Sequence, residues 1–117
     1  MAHAIGKVEM LMQQCVSDCI ACHNICLETA KHCMHMGGSH SAPQNLVLLL
    51  DCHEICQTSA NFMLRGSEFS NRICGVCADA CRRCAEICEG FSDDEQMASC
   101  ESMCRSCMDS CEQMANM

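Results

Sequence analysis

The chain has 117 residues and carries 16 cysteines and 11 methionines, with three phenylalanines and neither tryptophan nor tyrosine. That length suits one domain spanning residues 1–117. A formal net charge of −8 with only seven lysines and arginines excludes a basic surface for gathering phosphates, so nucleic acid is not an expected partner.

Steps of three and four predict a first helix over about residues 4–36. Its stripe is Ile5, Val8, Met12, Cys15, Cys19, Cys22, Cys26, Thr29, Cys33 and Met36. Glycines in the segment 37–44 stop it, and Ser41 followed by Pro43 reads as the cap and first turn of the next helix. A second helix over about 43–64 is striped by Leu49, Cys52, Cys56, Ser59 and Met63, with Leu46, Val47, Leu48 and Leu50 offering further core or a subunit contact. The five aliphatic residues from Leu46 to Leu50 fall far short of the roughly 20 that cross a bilayer, so no membrane is expected.

Residues 65–71 break the second helix. A third, over about 68–89, is striped by Cys74, Cys77, Cys81, Cys84 and Cys88. In the next break Ser92, with Glu95 three residues on, reads as a capping box, and Asp93 and Asp94 suit the positive end of a helix. The fourth helix, over about 93–115, is striped by Met97, Cys100, Cys104, Cys107, Cys111 and Met114. Short connections make neighbours antiparallel, so the expected fold class is all-α, an up-down-up-down four-helix bundle with a cysteine-lined core. Off-stripe residues such as Asp18, Asp79, Arg82, Arg83, Glu86, Glu101, Arg105 and Asp109 are expected on the solvated face.

The spacing C-x3-C-x2-C-x3-C occurs three times, at residues 15–26, 77–88 and 100–111. A few cysteines on a helical stripe are ordinary core filling, because a protonated thiol packs as a small hydrophobe. Sixteen on four stripes are not. The N-terminus lacks a basic segment, apolar run and small-residue cleavage site, so a cytoplasmic location is expected. Thiols stay reduced there, which favours metal or redox chemistry over a disulfide scaffold. Pairs such as Cys22 and Cys26 or Cys52 and Cys56 lie about 5–6 Å apart at Cβ in a helix, wider than a disulfide spans but suited to two sulfurs reaching for one ion.

Thiolates select Cu(I), zinc and iron–sulfur clusters. The ferredoxin run with its proline is absent, as is the strand–helix–strand setting of a thioredoxin-type C-x2-C. A tetrathiolate zinc site is a buried dianion, and the stripes offer no cations to offset it. Cu(I) takes two or three sulfurs, and bridging thiolates at about one ion each leave a neutral core holding on the order of ten to sixteen ions. The alternatives that stay open are a broad zinc and cadmium buffer and a thiol redox or electron-transfer protein. No Ser-His-Asp set, phosphate loop or paired-carboxylate site stands out, so enzymatic activity is not expected.

With these stripes, the quartet repeats and the segment DCHEICQTSANFMLRGSEFSNRICGVCADACRRCAEIC, nearly the whole chain resembles the copper storage proteins, especially their cytosolic branch. The resemblance implies a four-helix bundle, many Cu(I) ions inside it and a homotetramer. The ligands it implies are Cys15, Cys19, Cys22, Cys26, Cys33, Cys52, Cys56, Cys74, Cys77, Cys81, Cys84, Cys88, Cys100, Cys104, Cys107 and Cys111. A copper chaperone or a small-molecule copper donor is expected as a partner. Members of that branch commonly carry histidines before the last helix, whereas this chain reads GFSDDEQMASC there and has His32, His35 and His40 near the end of the first helix. In an antiparallel bundle Cys33, Met36, Cys88, Met97 and Cys100 are expected to meet at that end. Imidazole and thioether bind Cu(I), so His32, Met36 and Met97 are expected to assist copper uptake or hold the outermost ions, with hydrophobic plugging the other reading of the two methionines. His35 and His40 are expected in solvent, and His23 and His53 at the surface or behind the ligands.

Overall fold

A thiol stripe backed by charged residues buries itself most economically as a helix, and the computed structural model, which describes residues 2–117 and side chains from residue 6 onward, contains four. They are α1 (Ala2–Met36), α2 (Pro43–Leu64), α3 (Ser70–Glu89) and α4 (Glu95–Ala115), with a short 3-10 turn at Gly38–Ser41. Each packs against its neighbours in a closed ring, α1 on α2, α2 on α3, α3 on α4 and α4 on α1. This is the expected antiparallel four-helix bundle.

The molecule measures 55 × 22 × 19 Å. At about 1.5 Å per residue, α1 accounts for nearly all of that length, whereas the other helices are some two-thirds as long. The start of α1 therefore overhangs the bundle, leaving Val8 and Met10 mostly exposed. The stripe thus stops short of its expected N-terminal extent: Val8 is outside the core, and Ile5 lies outside the residues whose side chains are described. Burial begins at Cys15 and ends at Cys33; Met36, expected inside, is 55% exposed.

Local chemistry sets the helix ends. Past α2, Gly66 adopts φ 68°, and the N–H groups of Gly66 and Ser67 return to the carbonyls of Met63 and Phe62, the paired bonds of a Schellman motif. Ser67 Oγ then accepts the Phe69 N–H at 3.1 Å, which delays α3 to Ser70 rather than 68. Ser41 belongs to the 3-10 turn and bonds back to Gly38, so Ala42 precedes Pro43 at the start of α2. The expected Ser92 cap of α4 gives way to Asp94, whose side chain accepts the N–H groups of Gln96 and Met97. A turn closed by Asp94 N–H on the Phe91 carbonyl carries the chain past Ser92 before the helix begins.

Candidate metal centre

All sixteen cysteines have no accessible surface and no disulfide. Buried with them are Leu49, Met63, Met97, Met114 and four alanines, and the only buried polar residues among those described are Thr29, Ser59 and Ser70. No lysine, arginine or histidine among the described residues enters this core. The charged residues expected outside are there, with ion pairs joining Arg82 to Asp79, Arg83 to Glu86, and Arg105 to both Glu101 and Glu89.

Thirteen of the sixteen sulfurs are linked by contacts of 4.0 Å or less into a relay along the bundle axis. Cys111 Sγ lies 3.6 Å from both Cys15 and Cys19, and Cys107 lies 3.7 Å from Cys19. Cys56 is 3.6 Å from Cys77, 3.8 Å from Cys81 and 4.0 Å from Cys107. Cys52 continues to Cys81 at 3.7 Å and Cys22 at 3.9 Å. Cys22 and Cys26 reach Cys104 at 3.7 and 3.8 Å, Cys26 reaches Cys84 at 3.9 Å, and Cys100 lies 4.0 Å from Cys104. Helical neighbours take part as well, with Cys22 and Cys26 at 3.8 Å and Cys52 and Cys56 at 4.0 Å.

Quartets of sulfurs lie within 4.8 Å of one another and share members. Cys22 and Cys52, for instance, belong both to the set with Cys26 and Cys104 and to the set with Cys56 and Cys81. A sulfur common to two quartets is placed to bridge two ions. These contacts also bias the protons. Hydrogen bonding with Cys104 holds Cys22 below the ordinary thiol value, while hydrogen bonding with Cys107 pushes Cys56 up. Burial, followed by the nearby Asp94 carboxylate, pushes Cys33 up to about 11.

At the end of the bundle formed by the C-terminus of α1, Cys33 Sγ donates to Met97 Sδ at 3.6 Å. Above this pair sits a carboxylate that sequence reasoning treated only as a helix-end charge. Asp94 Oδ1 caps α4, and Asp94 Oδ2 accepts from His32 Nε2 at 2.7 Å and from His40 Nε2 at 3.0 Å. The His32 bond, ahead of the backbone contact, holds the Asp94 carboxyl down to about 2. His40, expected in solvent, instead packs against Phe91 with ring centroids 4.2 Å apart. The clue in the sequence was an aspartate three residues before the stripe residue Met97, a position from which one carboxylate can both cap a helix and face the bundle end.

His35 is exposed, as expected. Met36 stays apart from Cys33 and Met97 because it follows Cys33 by three residues at the last turn of α1, beyond the cover of the other helices. His23 and His53, beside the core rather than in it, stack at 4.0 Å; each Nδ1–H donates to the other's backbone carbonyl, at 2.9 and 3.0 Å. They join α1 to α2.

Fold and site together define a soft-metal protein, a helical tube lined by shared thiols. The chain belongs to the copper storage protein family, whose pattern it matches over residues 8–116. It is similar to a solved protein of Nitrosospira multiformis at 43% identity, covering 92% of this chain and 97% of that one, with a TM-score of 0.86. The Cu(I)-bound copper storage protein 3 of Bacillus subtilis matches at 28% identity over 90% and 98% of the two chains, TM-score 0.82. A cytosolic copper storage protein of Streptomyces lividans, solved with five coppers, has the same fold at 22% identity over 96% and 98%, TM-score 0.84. No curated protein matches the sequence. Among the described residues no helix is long and apolar enough to cross a membrane.

Proposed function

We propose that this chain sequesters and stores many Cu(I) ions in the cytoplasm, using the sixteen core cysteines as thiolate ligands, as one unit over residues 1–117 and without a catalytic cycle. The observation that carries this reading is the unbroken run of buried, shared sulfurs in a core with no buried cation among the described residues. With a metal–sulfur bond of about 2.3 Å, sulfurs about 3.8 Å apart subtend roughly 110°, so the quartets suit zinc by shape. Charge decides against zinc as the cargo. A Cu(I) ion that replaces one thiol proton leaves the buried charge unchanged, whereas Zn²⁺ replacing four leaves two negative charges with nothing buried to offset them.

The end formed by His32, Met97 and Cys33 is the route by which copper enters and leaves. There Asp94 holds the Nε2–H of both His32 and His40, which leaves each Nδ1 as the ring's free lone pair. Met97 Sδ, already in contact with Cys33, passes ions to the first thiol. Met36, on the outside of this end, serves only as a first capture point. The exposed apolar residues Ile20, Leu27, Val47 and Leu64 on α1 and α2 suit association as a homotetramer, and a copper chaperone or small-molecule donor supplies the metal.

The test is an anaerobic titration of the reduced protein with Cu(I) against a chromophoric chelator, with a parallel zinc titration. Storage requires uptake on the order of ten to sixteen Cu(I) ions per chain. Saturation at one or two ions indicates redox or sensing chemistry, and equally tight stoichiometric zinc uptake indicates a general buffer; either result removes the storage reading.

A further inference from the structure

Two hydroxyls lie within the thiol stripes, and they differ in one respect. Thr29 Oγ1 accepts from Gln96 Nε2 at 2.9 Å. Ser59, which has no accessible surface, has an Oγ with no hydrogen-bond partner among the described residues. Ser59 continues the α2 stripe three residues beyond Cys56 and four before the buried Met63. Cys56 touches Cys77 and Cys107, and α2 runs antiparallel to its neighbour α3. One further turn along α2 therefore comes level with the start of the α3 stripe at Cys74, near the end of the core where Cys15, Cys19 and Cys111 gather.

A hydroxyl left unpartnered in such a core destabilises the empty bundle, and alanine would fill the same space without that cost. Thiols offer this hydroxyl little, since their sulfur is a weak acceptor. A thiolate holding metal is a better one, and donors behind metal ligands tune how tightly the ion is held. We propose that Ser59 is a positioning residue for stored copper: its O–H donates to metal-bearing thiolates at the end of the core remote from His32, a bond that forms only when ions are present. The inference rests on the copper-storage reading above. It assigns the hydroxyl no place in the coordination sphere, because an alcohol oxygen is a hard donor that Cu(I) does not select over sulfur.

The experiment compares full-length wild type with S59A. The reduced, metal-free proteins are melted by circular dichroism, then both are loaded with Cu(I) anaerobically and the metal is withdrawn by a graded series of Cu(I) chelators. The expected result is opposite signs in the two forms: S59A melts higher than wild type when empty, yet gives up part of its copper at about tenfold lower chelator strength. A purely structural role moves both forms the same way, and that result overturns the proposal. So does copper retention equal to wild type. Normal wild-type loading with unchanged S59A behaviour defeats this inference alone, whereas failure of the wild type to load defeats the storage reading as well.

Discussion

Asp94 serves two structures at once, and its protonation separates them. Its carboxyl is held down to about 2 from the ordinary 3.8, first by His32. A carboxylate depressed by folding contributes stability above its unfolded value and loses it as pH falls through the folded one. The contribution of Asp94 is therefore complete above pH 3.8 and lost as pH falls toward 2. The D94N variant keeps a cap on α4, since asparagine is as good a cap as aspartate, but it offers no charge to His32 and His40. Acid melts of the metal-free proteins are expected to converge near pH 2 and to separate above pH 4, with wild type the more stable; parallel curves throughout would show that the histidine bonds add nothing. Cysteines differ among themselves in the same local way. Cys104 lies within 4.0 Å of Cys22, Cys26 and Cys100 and belongs to at least two quartets, whereas Cys33 Sγ bonds to the thioether of Met97. C104S is expected to lower copper capacity by more than one ion and to destabilise the empty protein by about 1–3 kcal/mol, the cost of a buried unpaired hydroxyl. C33S is expected to lose one ion at most. Equal losses, read by chelator titration, would mean that the sulfurs bind independently rather than as bridges.

Each helix keeps its thiols apart by its own geometry. The i,i+4 sulfurs of Cys52 and Cys56, Cys100 and Cys104, and Cys107 and Cys111 stand 4.0 Å apart, about twice the length of a disulfide bond. Closing these pairs requires unwinding the turn between them, whereas sulfurs on facing helices, such as Cys15 and Cys111 or Cys56 and Cys77 at 3.6 Å, are closer. Diamide oxidation of the empty protein is therefore expected to give disulfides between helices, mapped by mass spectrometry, before any within one. Copper-loaded protein, its sulfurs already engaged, is expected to keep its ellipticity under the same treatment; i,i+4 disulfides mapped in an empty form of full helicity would contradict the geometry. This rigidity also explains what was legible in the sequence. Steps of three and four fix which face of a long helix is buried, so all sixteen cysteines and Met63, Met97 and Met114 could be assigned to the core from spacing. Where the periodicity ends it carries no such information: Val8 and Met36 fit the stripe but lie beyond the cover of the shorter helices. The bonding of Asp94 to His32 and His40, and the packing of His40 onto Phe91, depend on contacts that α1 and the Gly38–Ser41 turn make with the turn before α4. No pattern within a single helix encodes them. Ser59 was visible as a stripe residue, but its lack of a partner is a property of three-dimensional packing.

At the scale of the whole molecule, the governing quantity is the charge of a core that has no means of balancing it. Burial holds protons on thiols such as Cys33, pushed up to about 11 from the ordinary 9.0. A thiol raised by folding contributes stability that is complete below its unfolded value and lost as pH rises through the folded one. The contribution of Cys33 to the empty bundle is therefore expected to be lost between pH 9 and 11, in a thermal melt series that compares wild type with C33A, as its thiolate forms near the Asp94 carboxylate. Copper removes that liability, because metal takes the place of the proton. Loading at neutral pH should then release about one proton per Cu(I) bound, measurable with an indicator dye in weakly buffered solution, and the loaded protein should show no loss of stability over the alkaline range. Since protons compete with copper for the same sulfurs, acidification should draw metal out. A proton yield near two per ion would mean that each copper gathers two thiolates of its own, leaving one buried negative charge per site; chains of bridging sulfurs would be ruled out, and capacity would have to stop near half the number of cysteines.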